Sequence, residues 1–220
     1  MSYTVKSETD EATGVRLTIQ IDDGGTESPL EHDTAVIFAV LHGRYINPAK
    51  SLPNMNHDFT TVEGIEEFIA DNKERGEPWA VFPLYMFDHG NTVYECSENG
   101  NPFSCPWDSG RVGIIALKKS DVGDPKTYKP YLAQAQQTCA IYTAWANGEV
   151  YGYVVDNAEG DNVDSCWGYI ETDGADGYVY EEGKHAMKAA IEDVIEARAF
   201  QRGADMARAK EFGMEGLIHD

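Results

Sequence analysis

The stretch Lys126-Thr-Tyr-Lys-Pro-Tyr-Leu-Ala-Gln-Ala-Gln-Gln-Thr-Cys-Ala-Ile-Tyr-Thr-Ala-Trp-Ala-Asn147 sets the architecture. Tyr128, Tyr131, Leu132, Ala135, Thr138, Cys139, Tyr142, Trp145 and Ala146 recur at i, i+3, i+4, i+7, the period of an amphipathic helix. Asn147-Gly148 supplies a left-handed stop. Directly after it, Glu149 to Val155 and Cys166 to Ile170 alternate as strands, separated by the acidic loop Asp156 to Asp164. A long helix followed by strand, turn and strand, without regular βαβ alternation, points to the α+β class.

The flanking segments agree. Ala35 to Leu41 and Val112 to Leu117 are short continuous apolar runs that read as buried strands, and Trp79 to Tyr94 is strand-like around a turn at Asp88-His89-Gly90-Asn91. Thr60-Thr61-Val62-Glu63 matches a capping box, after which Val62, Ile65, Phe68 and Ile69 share one helical face as far as Arg75-Gly76. At the N-terminus Val15, Leu17, Ile19 and Ile21 alternate weakly before Asp22-Asp23-Gly24-Gly25, predicting one strand. A second acidic turn, Asp173 to Gly177, leads to a last helix starting near Gly183 and burying Met187, Ala190, Ile191, Val194 and Ile195. With no repeat and no Ser/Pro-rich linker, the expectation is a single α+β domain over residues 1–220. It has an antiparallel or mixed sheet, about three helices packed on it, and 183–220 as a C-terminal helical segment.

The 220 residues carry 38 Asp+Glu against 17 Lys+Arg, a formal charge of −21. Such a surface repels a phosphate backbone and an anionic membrane, so neither direct nucleic-acid clamping nor membrane binding is expected. No apolar run approaches the ~20 residues of a bilayer span, and the N-terminus has no apolar signal core, predicting a soluble chain without a recognisable export signal. The charge is uneven. Residues 148–183 hold 10 acids and no base, whereas residues 111–147 hold 2 acids and 5 bases. A concentrated acidic face fits steering of a basic partner, imitation of a nucleic-acid backbone, cation capture, or plain solubility. The candidate partner-binding residues are Asp156, Glu159, Asp161, Asp164, Asp173 and Asp176.

Cys96, Cys105, Cys139 and Cys166 include no C-x-x-C pair, and the loop at 156–164 departs from the calcium pattern at Ala158, so no metal is expected. Gly110-Arg-Val-Gly113 lacks the spacing of a phosphate-binding loop, and no cofactor is expected. The residue types of a nucleophilic triad do occur close together: Cys105 and His89, with Asp108 to orient the imidazole. The competing reading is structural. In it Pro102 and Pro106 stiffen a loop, Trp107 plugs the core, Asp108 caps backbone N–H groups and Gly110 relieves a turn.

Pro83-Leu-Tyr-Met-Phe-Asp-His-Gly90, Pro102-Phe-Ser-Cys-Pro-Trp-Asp-Ser-Gly-Arg-Val-Gly113, Gly148-Glu-Val-Tyr-Gly-Tyr-Val-Val155 and Asp164-Ser-Cys-Trp-Gly-Tyr169 resemble segments of small uncharacterised proteins of bacteriophages and mobile elements, as do Glu27-Ser-Pro-Leu-Glu-His-Asp33 and His42-Gly-Arg-Tyr45. The resemblance implies an accessory protein acting in the host cytoplasm, and it brings no assigned reaction and no catalytic residue. Three functions follow as expectations. The first is a protein that binds and inhibits or redirects a host factor with a basic surface, such as a nucleic-acid-binding protein, in counter-defence or host takeover and through a DNA-mimicking acidic face. The second is a cysteine-based hydrolase or transferase using Cys105 and His89. The third is a virion structural or assembly protein. The sequence leaves the oligomeric state open.

Overall fold

A computed structural model describes residues 3–31, 33–51, 57–119 and 128–211. In chain order the elements are β1 (Tyr3–Thr9), β2 (Arg16–Ile21), β3 (Val36–Val40), α1 (Val62–Glu74), β4 (Trp79–His89), β5 (Asn91–Cys96), β6 (Ser109–Lys118), α2 (Tyr128–Ala146), β7 (Val150–Asp156), β8 (Asn162–Ile170) and α3 (Tyr178–Glu211). Short 3-10 turns lie at Pro48–Ser51 and Gly174–Asp176. The class is α+β, and the described strands form two four-stranded antiparallel sheets. Each sheet belongs to a compact unit: Met1–Gly24 with Val150–Asp220, and Gly25–Glu149. The expected helix start at Lys126 and the end of the 183–220 segment lie outside the described residues.

The first unit has strand order β1-β2-β7-β8. Its central pairing joins the two ends of the chain, from Arg16↔Asp156 to Ile21↔Tyr151, and Asp22 N–H donates to Val150 C=O at 2.8 Å where the chain leaves and returns. Because paired residues share a face, Leu17, Ile19, Tyr151, Tyr153 and Val155 all point to one side. There they are covered by Val179, Met187 and Ala190 of α3. The approach is close at Gly183, where a Cβ would lie 2.7 Å from Leu17 Cδ1.

Two expectations about this unit are corrected. The N-terminal thirty residues form a hairpin, β1 and β2, rather than one strand. β1 escapes a hydrophobicity reading because it is an edge strand with mostly exposed side chains. The last helix starts at Tyr178, not near Gly183. The buried Glu171 carboxylate accepts the Val179 N–H there, and a negative group at a helix N-terminus satisfies one of its orphan donors.

In the second unit the order is β3-β6-β4-β5 and both sheet faces are covered. Ala135, Cys139 and Tyr142 of α2 pack on Phe38, Phe82 and Ile115, while Ile65 and Phe68 of α1 pack with Ile37, Ala39 and Trp79 on the other side. Burial on both faces is why β3 and β6 read as unbroken apolar runs. At Gly113 a Cβ would stand 1.8 Å from Ala39 C=O, so this rung of the β3–β6 ladder needs glycine. The α1 cap is Thr61, whose Oγ1 accepts Gly64 N–H at 3.1 Å. That moves the cap one residue from the expected box at Thr60 and leaves Glu63 out of register for it.

The free edge of β5 is closed by a helix instead of a strand. Thr143 Oγ1 accepts Tyr94 N–H at 2.9 Å; one turn on, Asn147 Oδ1 accepts Thr92 N–H at 3.0 Å and Asn147 Nδ2 donates to Thr92 C=O at 2.7 Å. A side-chain pair at i, i+4 thus meets successive outward-facing amides. At the opposite edge Asn47 Oδ1 accepts Val40 N–H at 3.1 Å. Replacing Asn147→Ala removes two ladder-like bonds and strands the Thr92 amide, so stability should fall by roughly 1–3 kcal/mol, read as a lower urea midpoint at unchanged m-value.

Candidate functional site

β4 and β6 are neighbours, and their outermost rungs bring the sequence-predicted constellation together. Phe87 pairs with Ser109, and Asp88 N–H donates to Asp108 C=O at 2.8 Å. Gly90, at φ +87°, turns β4 back into β5 and leaves His89 at the tip. Asp108 Oδ2 accepts the Cys105 thiol at 3.3 Å, and His89 Nδ1 lies 3.2 Å from the same oxygen. Ser109 Oγ donates to Cys105 C=O, and Asn101 Nδ2 donates to Ser109 Oγ at 2.9 Å, so side-chain bonds shape the loop.

The order of contacts decides what this cluster can do. In a nucleophilic triad the imidazole stands between thiol and carboxylate, so that it can take the thiol proton. Here the carboxylate stands between thiol and imidazole. Cys105, His89 and Asp108 do meet, but through Asp108, with the His89 side chain about three-quarters exposed. One part of the structural alternative is corrected: the Trp107 side chain does not plug the core but stands 92% exposed.

Beside this turn lies a groove of about 300 Å³ lined by His42, Arg44, Tyr45, Asp88, Trp107 and Arg111, among others. Tyr45 Oη donates to Asp88 Oδ2 at 2.6 Å, and that bond to a carboxylate raises the Tyr45 pKa above its ordinary 10.0. Apart from the Trp107-Asp108 turn, sequence reasoning missed this group. His42 to Tyr45 and Trp107 to Arg111 are far apart in the chain, and only the shared groove relates them. Buried Cys96 and Cys139 form a thiol pair between β5 and α2. The bond from Cys139 pulls the Cys96 pKa down, and Cys139, holding its proton in that bond, is pushed up.

The six acidic candidates of the first unit do not form one cluster. The turn Asp156 to Asp161 and the turn Asp173 to Asp176 lie at opposite ends of β8, which spans about 27 Å at ~3.3 Å per residue. Two of the six are ion-paired: Asp156 with Arg16 at 2.9 Å, and Asp176 with Lys6, whose ammonium also sits 3.4 Å from the Tyr180 ring centre. Glu8 is bound by Lys184 and by Tyr180 Oη at 2.7 Å. The Asp164 carboxylate accepts from Tyr153 Oη, at 3.3 Å, and the Asp161 carboxylate from Asn157 Nδ2, at 3.4 Å. Glu159, Asp161 and Asp164 therefore have no cationic partner among the described residues, and they lie together at the β7–β8 turn.

Among the described residues there is no cluster of three metal-ligating side chains, and no helix is long and apolar enough to cross a membrane. No family model matches the chain, and neither the curated proteins nor the solved structures yield a match.

The bonds from Lys184 and Tyr180 hold the Glu8 carboxyl below its ordinary 4.5, so its contribution to stability is present above that value and is lost as pH falls through the lowered one. The side chains are well exposed, which keeps the contribution under about 1 kcal/mol. Melting-temperature curves should show Glu8→Gln slightly below wild type at pH 7, with the gap closing as the pH drops well below 4.5.

Proposed function

We propose that this is a binding protein rather than a catalyst, and that its first unit takes an extended basic segment of a partner protein along β8. The observation that carries the reading is the edge itself. β8 is a nine-residue outer strand whose side chains are exposed from Asn162 to Gly168, with Glu159, Asp161 and Asp164 at its start making no ion pair among the described residues. An unpaired strand edge is a template for another strand, and alternate side chains then set specificity. Like charges oppose pairing of two β8 edges, whereas a Lys- or Arg-bearing strand matches them. The other outer strand, β1, is a poorer acceptor because its Lys6 and Glu8 are already engaged.

The setting implied by the sequence resemblance is a phage-encoded accessory protein that blocks or redirects a host factor with a basic surface. Three uncompensated carboxylates within six residues suit a peptide strand better than an imitation of a DNA duplex, since the second acidic turn lies at the far end of β8. A hydrolase or transferase reading is disfavoured by the thiol–carboxylate–imidazole order at Cys105.

Anisotropy titration of a labelled nine-residue peptide alternating Lys and Val tests this reading. Glu159→Lys with Asp164→Lys should weaken binding at least tenfold and flatten its salt dependence. A backbone N-methylated peptide of the same charge should also lose binding, because strand addition needs its amides. Binding that survives either change overturns the reading.

A further inference from the structure

The Trp107 groove of the second unit carries an inference independent of the β8 edge. Four features of the groove bear on what it can hold. First, its donors are unspent. Arg111 has no partner among the described residues, and Arg44 touches only the Tyr45 hydroxyl. His42 Nδ1 accepts Arg44 N–H at 3.4 Å, which places the proton of the neutral ring on Nε2, a further donor. Two guanidiniums and an imidazole line one groove in a chain of charge −21, balanced there by Asp88 and Asp108, so the groove offers cationic donors for an anion beside carboxylate acceptors.

Second, the carboxylates of the groove are half used. Asp88 Oδ2 takes the Tyr45 hydroxyl and Asp108 Oδ2 takes the Cys105 thiol, while the other oxygen of each has no hydrogen bond among the described residues. Those oxygens accept from hydroxyl or amino groups of a ligand. Third, Trp107 is 92% exposed on a turn held by the Ser109 and Asp108 bonds. An indole so fully in water contributes nothing to the core and presents a flat apolar face for stacking. Fourth, about 300 Å³ is at the small end of ligand pockets, ~300–1,000 Å³.

We propose that this groove binds a mononucleotide, with the phosphate on Arg44, Arg111 and His42, the base stacked on Trp107, and the ribose hydroxyls or base amino group on Asp88 and Asp108. An aromatic amino acid shares the ring, the anion and the donor. A dianionic phosphate makes better use of two guanidiniums than a single carboxylate does. The Cys-Pro-Trp-Asp-Ser-Gly turn then has a purpose that needs no chemistry at sulfur: Cys105 and Ser109 hold Asp108 and Trp107 in place.

Calorimetric titration of the full chain with AMP, GMP and CMP, and separately with adenosine, inorganic phosphate and L-tryptophan, tests the assignment. At least one nucleotide should bind with a Kd below about 1 mM, at least tenfold tighter than adenosine, phosphate or tryptophan. Arg111→Ala and Trp107→Ala should each weaken it about tenfold or more, while Trp107→Phe keeps most of the affinity. Both residues are exposed, and melting curves of the variants confirm folding. Absence of saturable binding by all three nucleotides at 5 mM overturns the proposal, as does affinity unchanged in both alanine variants. Phosphate binding as tightly as the nucleotides overturns the stacking role, and tighter binding of tryptophan overturns the ligand class. Loss of peptide binding at β8 leaves this site untouched, so the two readings fail separately.

Discussion

The first unit depends on one pairing, β2 with β7, between segments separated by the whole of the second unit. Closing so long a loop costs entropy that grows only with the logarithm of its length, so the cost is bearable if a core rewards it at once. Here the reward is immediate: the same rungs that join Leu17 to Val155 and Ile19 to Tyr153 build the apolar face on which α3 lies. The hairpins β1–β2 and β7–β8 could each form locally, but a two-stranded hairpin is marginal alone. Only their junction makes a sheet wide enough to bind a helix.

The two sheets treat their edges in opposite ways, and this separates their roles. In the second unit Asn47, Thr143 and Asn147 occupy the outer amides of β3 and β5, and helices cover both faces. That unit carries a loop groove at one end of its strands. The first unit has a helix on one face, and β1 and β8 are the outer strands of its sheet among the described residues. Its carboxylates are sorted by topology as well. Glu8, Asp156 and Asp176 find cations, while Glu159, Asp161 and Asp164 at the β7–β8 turn have none among the described residues.

Legibility from sequence followed locality. α2, the β4–β5 hairpin and β6 were readable because periodicity and the Gly90 turn are properties of neighbouring residues. The start of α3 was not, since its cap is Glu171, seven residues upstream of Tyr178 and outside any N-cap pattern. The division of strands into two sheets was invisible, because nothing local says that Ile19 faces Tyr153. Cys105, His89 and Asp108 meet in space, yet their contact order is not legible, because residue types do not say which group stands in the middle. Trp107 was misjudged for a related reason. A large aromatic in a turn reads as an anchor, whereas only the backbone direction at Asp108 and Ser109 decides whether it points inward or out.

The Thr143 and Asn147 pair has a consequence for how this protein tolerates change. Apolar packing between a helix and a sheet is permissive: neighbouring ridges and grooves accept small slides and rotations, and hydrophobic swaps of similar volume are absorbed. Hydrogen bonds to two named amides of β5 are not permissive, and they act as a key that sets both the rotation and the axial position of α2. Core residues such as Ala135, Cys139 and Tyr142 are thereby freed to drift as long as volume is kept. The helix remains anchored by two polar side chains one turn apart, and substitutions there shift everything α2 carries.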